Sequence, residues 1–263
     1  MARDFAASVA GVANRFETTD PWRAGSLESD ANPALQAQLD AIGWRELAVN
    51  AELAEVVGPA SFELGRALAP LDSLDLLLAG ALTVHGLSRY ASEGTVLAEL
   101  RGATIFLSRA DELEPVGYGD AIGAARVIRR SERGQADEPA TRRSAWLSAN
   151  AGYLAGALDY GLEITLAHAK SRVAFGRPLA ALDTVQQRLA EVATAADGLR
   201  LLCLGRPDEA ALAHAAVAAK EGLAACHQLT GAIGFTLEFP LQRALRRARS
   251  MGAWVEAIVH EER

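Results

Sequence analysis

Leu182–Cys203 reads LDTVQQRLAEVATAADGLRLLC. Its apolar residues recur at alternating steps of three and four: Leu182, Val185, Leu189, Val192, Ala196, Leu199 and Cys203. That spacing returns to one side of a 3.6-residue turn, so it predicts a long amphipathic helix with a single buried stripe. GRPDEAAL (Gly205–Leu212) then breaks and restarts the chain. Pro207 stands near the new helix start, where Asp208 and Glu209 favour its dipole. A second stripe follows at Leu212, Ala216, Ala219, Leu223 and Cys226, and an earlier one runs through Leu147, Leu154, Leu158, Leu162 and Thr165. Three long helices in succession predict an antiparallel bundle.

Toward the N-terminus the pattern is again helical, broken by Pro21, Pro33, Pro59 and Pro70. NPALQAQLDAIGW (Asn32–Trp44) puts Leu35, Leu39 and Ile42 on one face, with Asn32 as cap and Pro33 in the first helical position. SFELGRALAP (Ser61–Pro70) offers Ser61 as a further cap and Pro70 as a stop. Between these helical regions, TVLAEL (Thr95–Leu100) and TIFLSR (Thr104–Arg109) are short and β-rich, while GYGDAIGAA (Gly117–Ala125) is rich in glycine. RVIRRSERGQADEP (Arg126–Pro139) reads as an exposed charged link. The expectation is a mainly α fold: an N-terminal helical domain over 1–90, a reduced, short-stranded middle segment over 91–140, and a C-terminal helical bundle over 141–263.

The chain has 263 residues, 50% of them hydrophobic, which suffices for a sizeable core. A net charge of −7 gives it no attraction to nucleic acid or anionic lipid. MARDFAASVAGVANRF carries Asp4 early and has no continuous apolar run, so no signal peptide is read. LDLLLAGALTVHGL (Leu74–Leu87) contains Asp75 and His85 and is too short to span a bilayer. A cytoplasmic location is expected. Cys203 and Cys226 fall on the apolar stripes and read as small buried hydrophobes. The five histidines show no ligand spacing, and no metal is expected.

Two motifs carry chemistry. In SRVAFGRP (Ser171–Pro178), Arg172 lies in the last turn of a helix, Phe175 just beyond it, and Gly176 lets the backbone reverse. The arginine either satisfies helix carbonyls or donates to a phosphate, with Phe175 offering a flat face to an aromatic ring. In HQLTGAIGFTLEFPLQRALRRARS (His227–Ser250), Gln228 at a helix end is followed by the glycine-spaced turn Gly231, Ala232, Gly234. Such a turn either stops a helix or holds an anion on its backbone N–H groups. The run Arg243, Arg246, Arg247 and Arg249 reads as a solvated helix face or as a basic patch for phosphates or a partner subunit.

Taken in this order, some fifty residues apart, the motifs R-x-x-F-G-R-P and Q-x-x-G-A-x-G-F-T-x-E followed by R-R-A-R resemble the C-terminal helical domain of the acyl-CoA dehydrogenases. LQAQLDAIGWRELAV and FELGRALAP resemble that family's N-terminal helical domain. The resemblance spans about 33–90 and 144–255. It implies FAD held across a subunit interface, with Arg172 on the pyrophosphate, Phe175 near the adenosine half, and Gln228, Gly231 and Ala232 as a second clamp. Gln186 fits the second glutamine of the family's F-Q-x-x-Q segment, whose first is replaced here by Asp183. The family's T-E-P-x-x-G-S-D-like segment does not occur, and about fifty residues are too few for its full flavin-bearing barrel. The positions of the family's catalytic carboxylate fall on Val255 and Trp146, which leaves Glu256, one residue away, as the only candidate base.

The resemblance therefore implies a truncated small subunit like those of the actinobacterial heteromeric enzymes. Its longer acyl-CoA dehydrogenase-type partner, in an α2β2 heterotetramer, supplies the flavin cradle and the base for oxidising an acyl-CoA to the 2,3-enoyl-CoA. A self-sufficient homodimeric dehydrogenase using Glu256, and a flavin-free scaffold of the same fold, stay open as alternatives.

Overall fold

The computed structural model describes residues 2–16, 32–116, 124–236 and 238–261. The glycine-rich run at 117–123, and Pro21, lie outside them. In chain order the described elements are α1 (Ala2–Phe16), α2 (Pro33–Ala41), α3 (Ala54–Arg66) and the single turn α4 (Asp72–Asp75). Five strands follow: β1 (Ala81–Val84), β2 (Leu87–Arg89), β3 (Val96–Arg101), β4 (Thr104–Pro115) and β5 (Ala124–Gln135). The 33-residue α5 (Pro139–Ser171) leads into a small hairpin of β6 (Val173–Ala174) and β7 (Arg177–Pro178). The chain finishes with α6 (Asp183–Leu202), α7 (Glu209–Thr230) and α8 (Leu241–Glu261). The protein is mainly helical. Among the described residues no helix is long and apolar enough to cross a membrane.

The stripes do what their spacing requires. Leu189, Val192, Ala196, Leu199 and Cys203 of α6 and its cap are buried, as are Leu212, Ala216, Ala219, Leu223 and Cys226 of α7. Asn32 caps α2 by accepting from the Leu35 N–H at 3.1 Å, and Asp208 caps α7 by accepting from the Ala211 N–H at 2.8 Å. Both cysteines are free and buried, and burial pushes the Cys203 thiol up to about 11.

Ser61 is not a cap. A three-ten turn at Ala51–Leu53 starts α3 earlier, with the Asn50 side chain accepting from the Glu52 N–H. Pro59 lies inside the helix at the loss of one backbone bond. The Ser61 hydroxyl instead donates to the Ala149 carbonyl at 2.6 Å, pinning α3 to α5. These two helices touch backbone to backbone through Gly58 and Gly65 on one and Gly152 and Gly156 on the other. A Cβ on Gly156 would stand 2.0 Å from the Phe62 carbonyl oxygen, and one on Gly65 would stand 2.1 Å from that of Tyr153.

The strands close into a barrel in the order β1-β2-β5-β4-β3, with β1 and β3 parallel and every other pair antiparallel. Two features depart from the sequence reading. The barrel begins at Ala81, inside the stretch read as helical, and RVIRRSERGQ is no link but most of strand β5, paired along β4. Its alternation is invisible in the sequence because every residue from Ile128 to Gln135 is exposed, so polar groups occupy both faces.

Candidate functional site

The helix α5 ends where the backbone of Arg172 turns extended, its N–H still bonded to the His168 carbonyl at 2.9 Å. Two residues later the chain reverses at Phe175 and Gly176, both at positive φ (54° and 75°). A two-residue hairpin loop of type I′ has positive φ at both positions, and Phe175 tolerates the strain because the strands on each side fix it. The hairpin is closed by the Leu179 N–H bonding the Arg172 carbonyl at 2.8 Å. Arg172 is exposed, and the Phe175 ring at the tip is 91% exposed. Gln186, exposed on the first turns of α6, donates its side-chain N–H to the Ala180 carbonyl at 2.9 Å and so ties helix to hairpin.

The second turn follows α7. Gly231 ends the helix at φ +66°, and a three-ten turn runs to Phe235. Gln228, Gly231 and Ala232 are exposed. Beneath them His227 is only 2% exposed, and its ring packs 4.7 Å from that of Phe235. Neither imidazole nitrogen has a hydrogen-bond partner. Burial lowers the His227 pKa below the usual imidazole value; the Leu241 backbone opposes this and Arg249 adds to it. A polar group buried without a partner typically costs about 1–3 kcal/mol, so the site carries a strain that an apolar ring would not.

Helix order brings the two turns together. α5, α6 and α7 pack on one another, and the short connections at 172–182 and 203–208 turn the chain back between them. At their shared end, Gly161 of α5 lies against Leu223 of α7 and Leu241 of α8, and the His168 ring meets that of Phe239 at 6.0 Å. Arg172, Phe175, Gln186, Gln228, Gly231 and Ala232 therefore gather at one end of the bundle. So do Val173, Phe175, Ile233 and Phe235, large apolar side chains that are exposed there. Glu256 does not join them: it is exposed on α8, fifteen residues beyond Leu241, about 22 Å along the helix. An apolar groove of about 690 Å³, lined by Ala6, Phe62, Leu201 and Leu204, opens near the opposite end of α6 and touches none of these residues.

Sequence reasoning missed a buried polar junction between barrel and bundle. Arg89, at the end of β2, is fully buried and pairs with Asp75 of α4 through Nε and Nη2. The Trp146 indole N–H donates to the same carboxylate at 3.2 Å. Arg247, also buried, donates to the Tyr90 hydroxyl at 2.9 Å, and Arg243 reaches the Leu68 carbonyl. The arginine run is thus divided, because a spacing of four turns Arg243 and Arg247 inward together. Asp72 completes the junction: Gln36 donates to one of its oxygens and the other has no partner. Trp146 and Val255, onto which the resemblance carries the base positions, are both buried. The only local signal for the junction was Asp75 within an otherwise apolar stretch.

Comparison with known proteins follows this geometry. Residues 148–255 match the family described as "Acyl-CoA dehydrogenase, C-terminal domain". An acyl-CoA dehydrogenase of Bacillus subtilis (strain 168) is 33% identical over 106 residues, a stretch that takes in 36% of this chain and only 28% of that relative's length. Among solved structures, the fold superposes on a chain of the ChsE4-ChsE5 complex from Mycobacterium tuberculosis with a TM-score of 0.71 at 18% identity, covering 99% of this chain and 94% of that one. It superposes on a chain of the steroid ACAD Tcur3481-Tcur3483 with a TM-score of 0.70 at 16% identity, covering 99% and 96%. A glutaryl-CoA dehydrogenase of Mycobacterium smegmatis gives 0.68 at 17% identity, covering 95% and 89%. Residues 148–255 thus match the C-terminal domain of the acyl-CoA dehydrogenases, and along its length the chain has the fold of these solved structures.

Proposed function

We propose that this chain is a subunit of an FAD-dependent acyl-CoA dehydrogenase, and that it lends the Arg172 end of its bundle to the FAD of a longer partner subunit. The observation that carries the reading is the convergence there of a guanidinium, the 91% exposed Phe175 ring and a glycine turn, ringed by further exposed apolar side chains. A monomer gains nothing from such an arrangement, whereas an interface covers it. The residues fit the ADP half of a dinucleotide. Arg172 would hold the pyrophosphate charge with directed N–H groups, Phe175 would lie flat on adenine, and Gly231 and Ala232 would let backbone approach the phosphates. Gln228 would donate beside them, and Gln186 would keep the hairpin fixed against α6. The orphaned, buried His227 beneath the turn supports the same placement.

When bound, the flavin supplies the two-electron acceptor for converting an acyl-CoA thioester to the 2,3-enoyl-CoA. The partner would contribute the flavin-ring cradle and the carboxylate that takes the substrate proton. In support, Trp146 and Val255 are buried and cannot accept a proton, and Glu256 lies far along α8 from the gathered residues. Two of the superposed structures carry paired names, ChsE4-ChsE5 and Tcur3481-Tcur3483, which supports a partner subunit for this chain; an α2β2 heterotetramer is the assembly we propose. The second is named a steroid ACAD, so a bulky steroid-derived thioester is the substrate class to try first.

Co-expression with a longer homologue tests the proposal. The co-purified complex is expected to be yellow and the chain alone nearly colourless. Arg172→Ala is expected to weaken FAD retention in the complex by tenfold or more, as loss of a charge-assisted donor does. Full FAD occupancy in the chain purified alone would overturn the shared-site reading.

A further inference from the structure

We infer that His227 is a further nucleotide contact of the proposed clamp, and that Phe235 is its displaceable cover. The inference rests on the reading that this end of the bundle holds a dinucleotide, and it adds a residue which neither motif nominated. Its basis is a mismatch between place and chemistry. A neutral imidazole carries one N–H and one lone pair, and here both nitrogens are shut from water without a well-formed hydrogen bond, although the Leu241 backbone lies near enough to act on the ring. A phenylalanine or leucine would fill the same space without that burden.

The geometry shows where a partner would enter. A Cβ on Gly234 would stand 3.3 Å from Nδ1 of His227, so this edge of the ring faces the inside of the glycine turn. Against the ring packs Phe235, its centroid 4.7 Å away, itself 67% exposed and carried on a three-ten turn rather than on a helix or strand. Swinging that one ring aside opens His227 to the same space that Gly231 and Ala232 border. The group that meets the imidazole there is an oxygen of the nucleotide. A phosphate oxygen would accept from its N–H, and a ribose hydroxyl would also satisfy its lone pair.

The test uses this chain, isotope-labelled, in the FAD-depleted complex with its longer partner, with ADP and FAD as probes. Long-range proton–nitrogen NMR spectra report the imidazole nitrogens, and His227→Phe assigns them among the five histidines. Saturating ADP is expected to move the His227 nitrogens to hydrogen-bonded values. Without nucleotide, His227→Phe is expected to melt at or above the wild type, because it removes two orphaned polar atoms. It is nevertheless expected to bind ADP about tenfold more weakly, the worth of one good hydrogen bond. His227→Gln, which keeps a donor, is expected to recover part of that loss. Unmoved His227 signals at saturating ADP would overturn the inference. So would unchanged ADP affinity in His227→Phe, or two variants that both lose stability without nucleotide. Arg172→Ala separates the two levels. If it loses ADP while His227→Phe does not, only the role of His227 falls. If the wild-type complex binds neither probe, the clamp reading falls with it.

Discussion

Asp72 lies at the junction of barrel and bundle with one carboxyl oxygen bonded to Gln36 and the other unpartnered. Burial pushes its pKa from 3.8 up to about 6; the Gln36 bond opposes this, Asp75 adds to it, and Arg247 and Arg89 hold it back. The folded value lies above the unfolded one, so between about pH 4 and 6 the folded chain keeps a proton that the unfolded chain releases. Stability therefore falls as pH rises through that window and stays lower above it, by about 3 kcal/mol at most. Asp72→Asn is expected to raise the melting temperature at pH 7 by a few degrees and to flatten its pH dependence between 4 and 6. Melting curves across that range check it, and an unchanged slope would remove Asp72 as the cause. Residues of this kind were hidden in the sequence. Asn32 was legible as a cap because its partner is three residues away, whereas Asp75, Arg89 and Trp146 meet only after three elements have packed.

Helices were read well wherever one stripe decides their burial, as in Leu182–Cys203. Strand β5 was not, because its arginines and glutamates leave no alternation to follow and its pairing depends on β4, which precedes it in the chain. The contact of α3 with α5 was equally silent: Gly58 and Gly152 look like helix weaknesses until the two backbones are seen to touch. Two glycine substitutions should therefore act with opposite sign. Gly156→Ala would drive its Cβ toward the Phe62 carbonyl and is expected to destabilise by about 1–3 kcal/mol or more, as overpacking does. Gly198→Ala, on the exposed face of α6 with nothing within 4 Å, is expected to stabilise by about 1 kcal/mol through helix propensity alone. Denaturant titration of both variants checks the pair, and equal effects would mean that the helices do not meet as described.

Across the whole molecule, the residues proposed for FAD gather at one end of the bundle while Glu256 stands well along α8. For the assembled complex with its longer partner, Glu256→Gln is expected to leave turnover within a few-fold of wild type. Removing the partner's carboxylate is expected to lower it by about 10²–10⁴. A collapse with Glu256→Gln while FAD stays bound would make this chain catalytic. The motifs located the gathered end because Arg172 and Gly231 act through short local patterns. The buried junction escaped them because it belongs to no single segment. The glycine contact between α3 and α5 also bears on how such a chain can diverge. Residues 65 and 156 lie ninety-one positions apart, yet neither tolerates a side chain unless the other helix retreats. Drift at one site is therefore conditional on the other, and the two stretches must be inherited as one unit. The barrel meets no such constraint along β5, where exposed residues can be exchanged singly. Lineages of this fold should accordingly lose or remodel strands long before they loosen that helix pair.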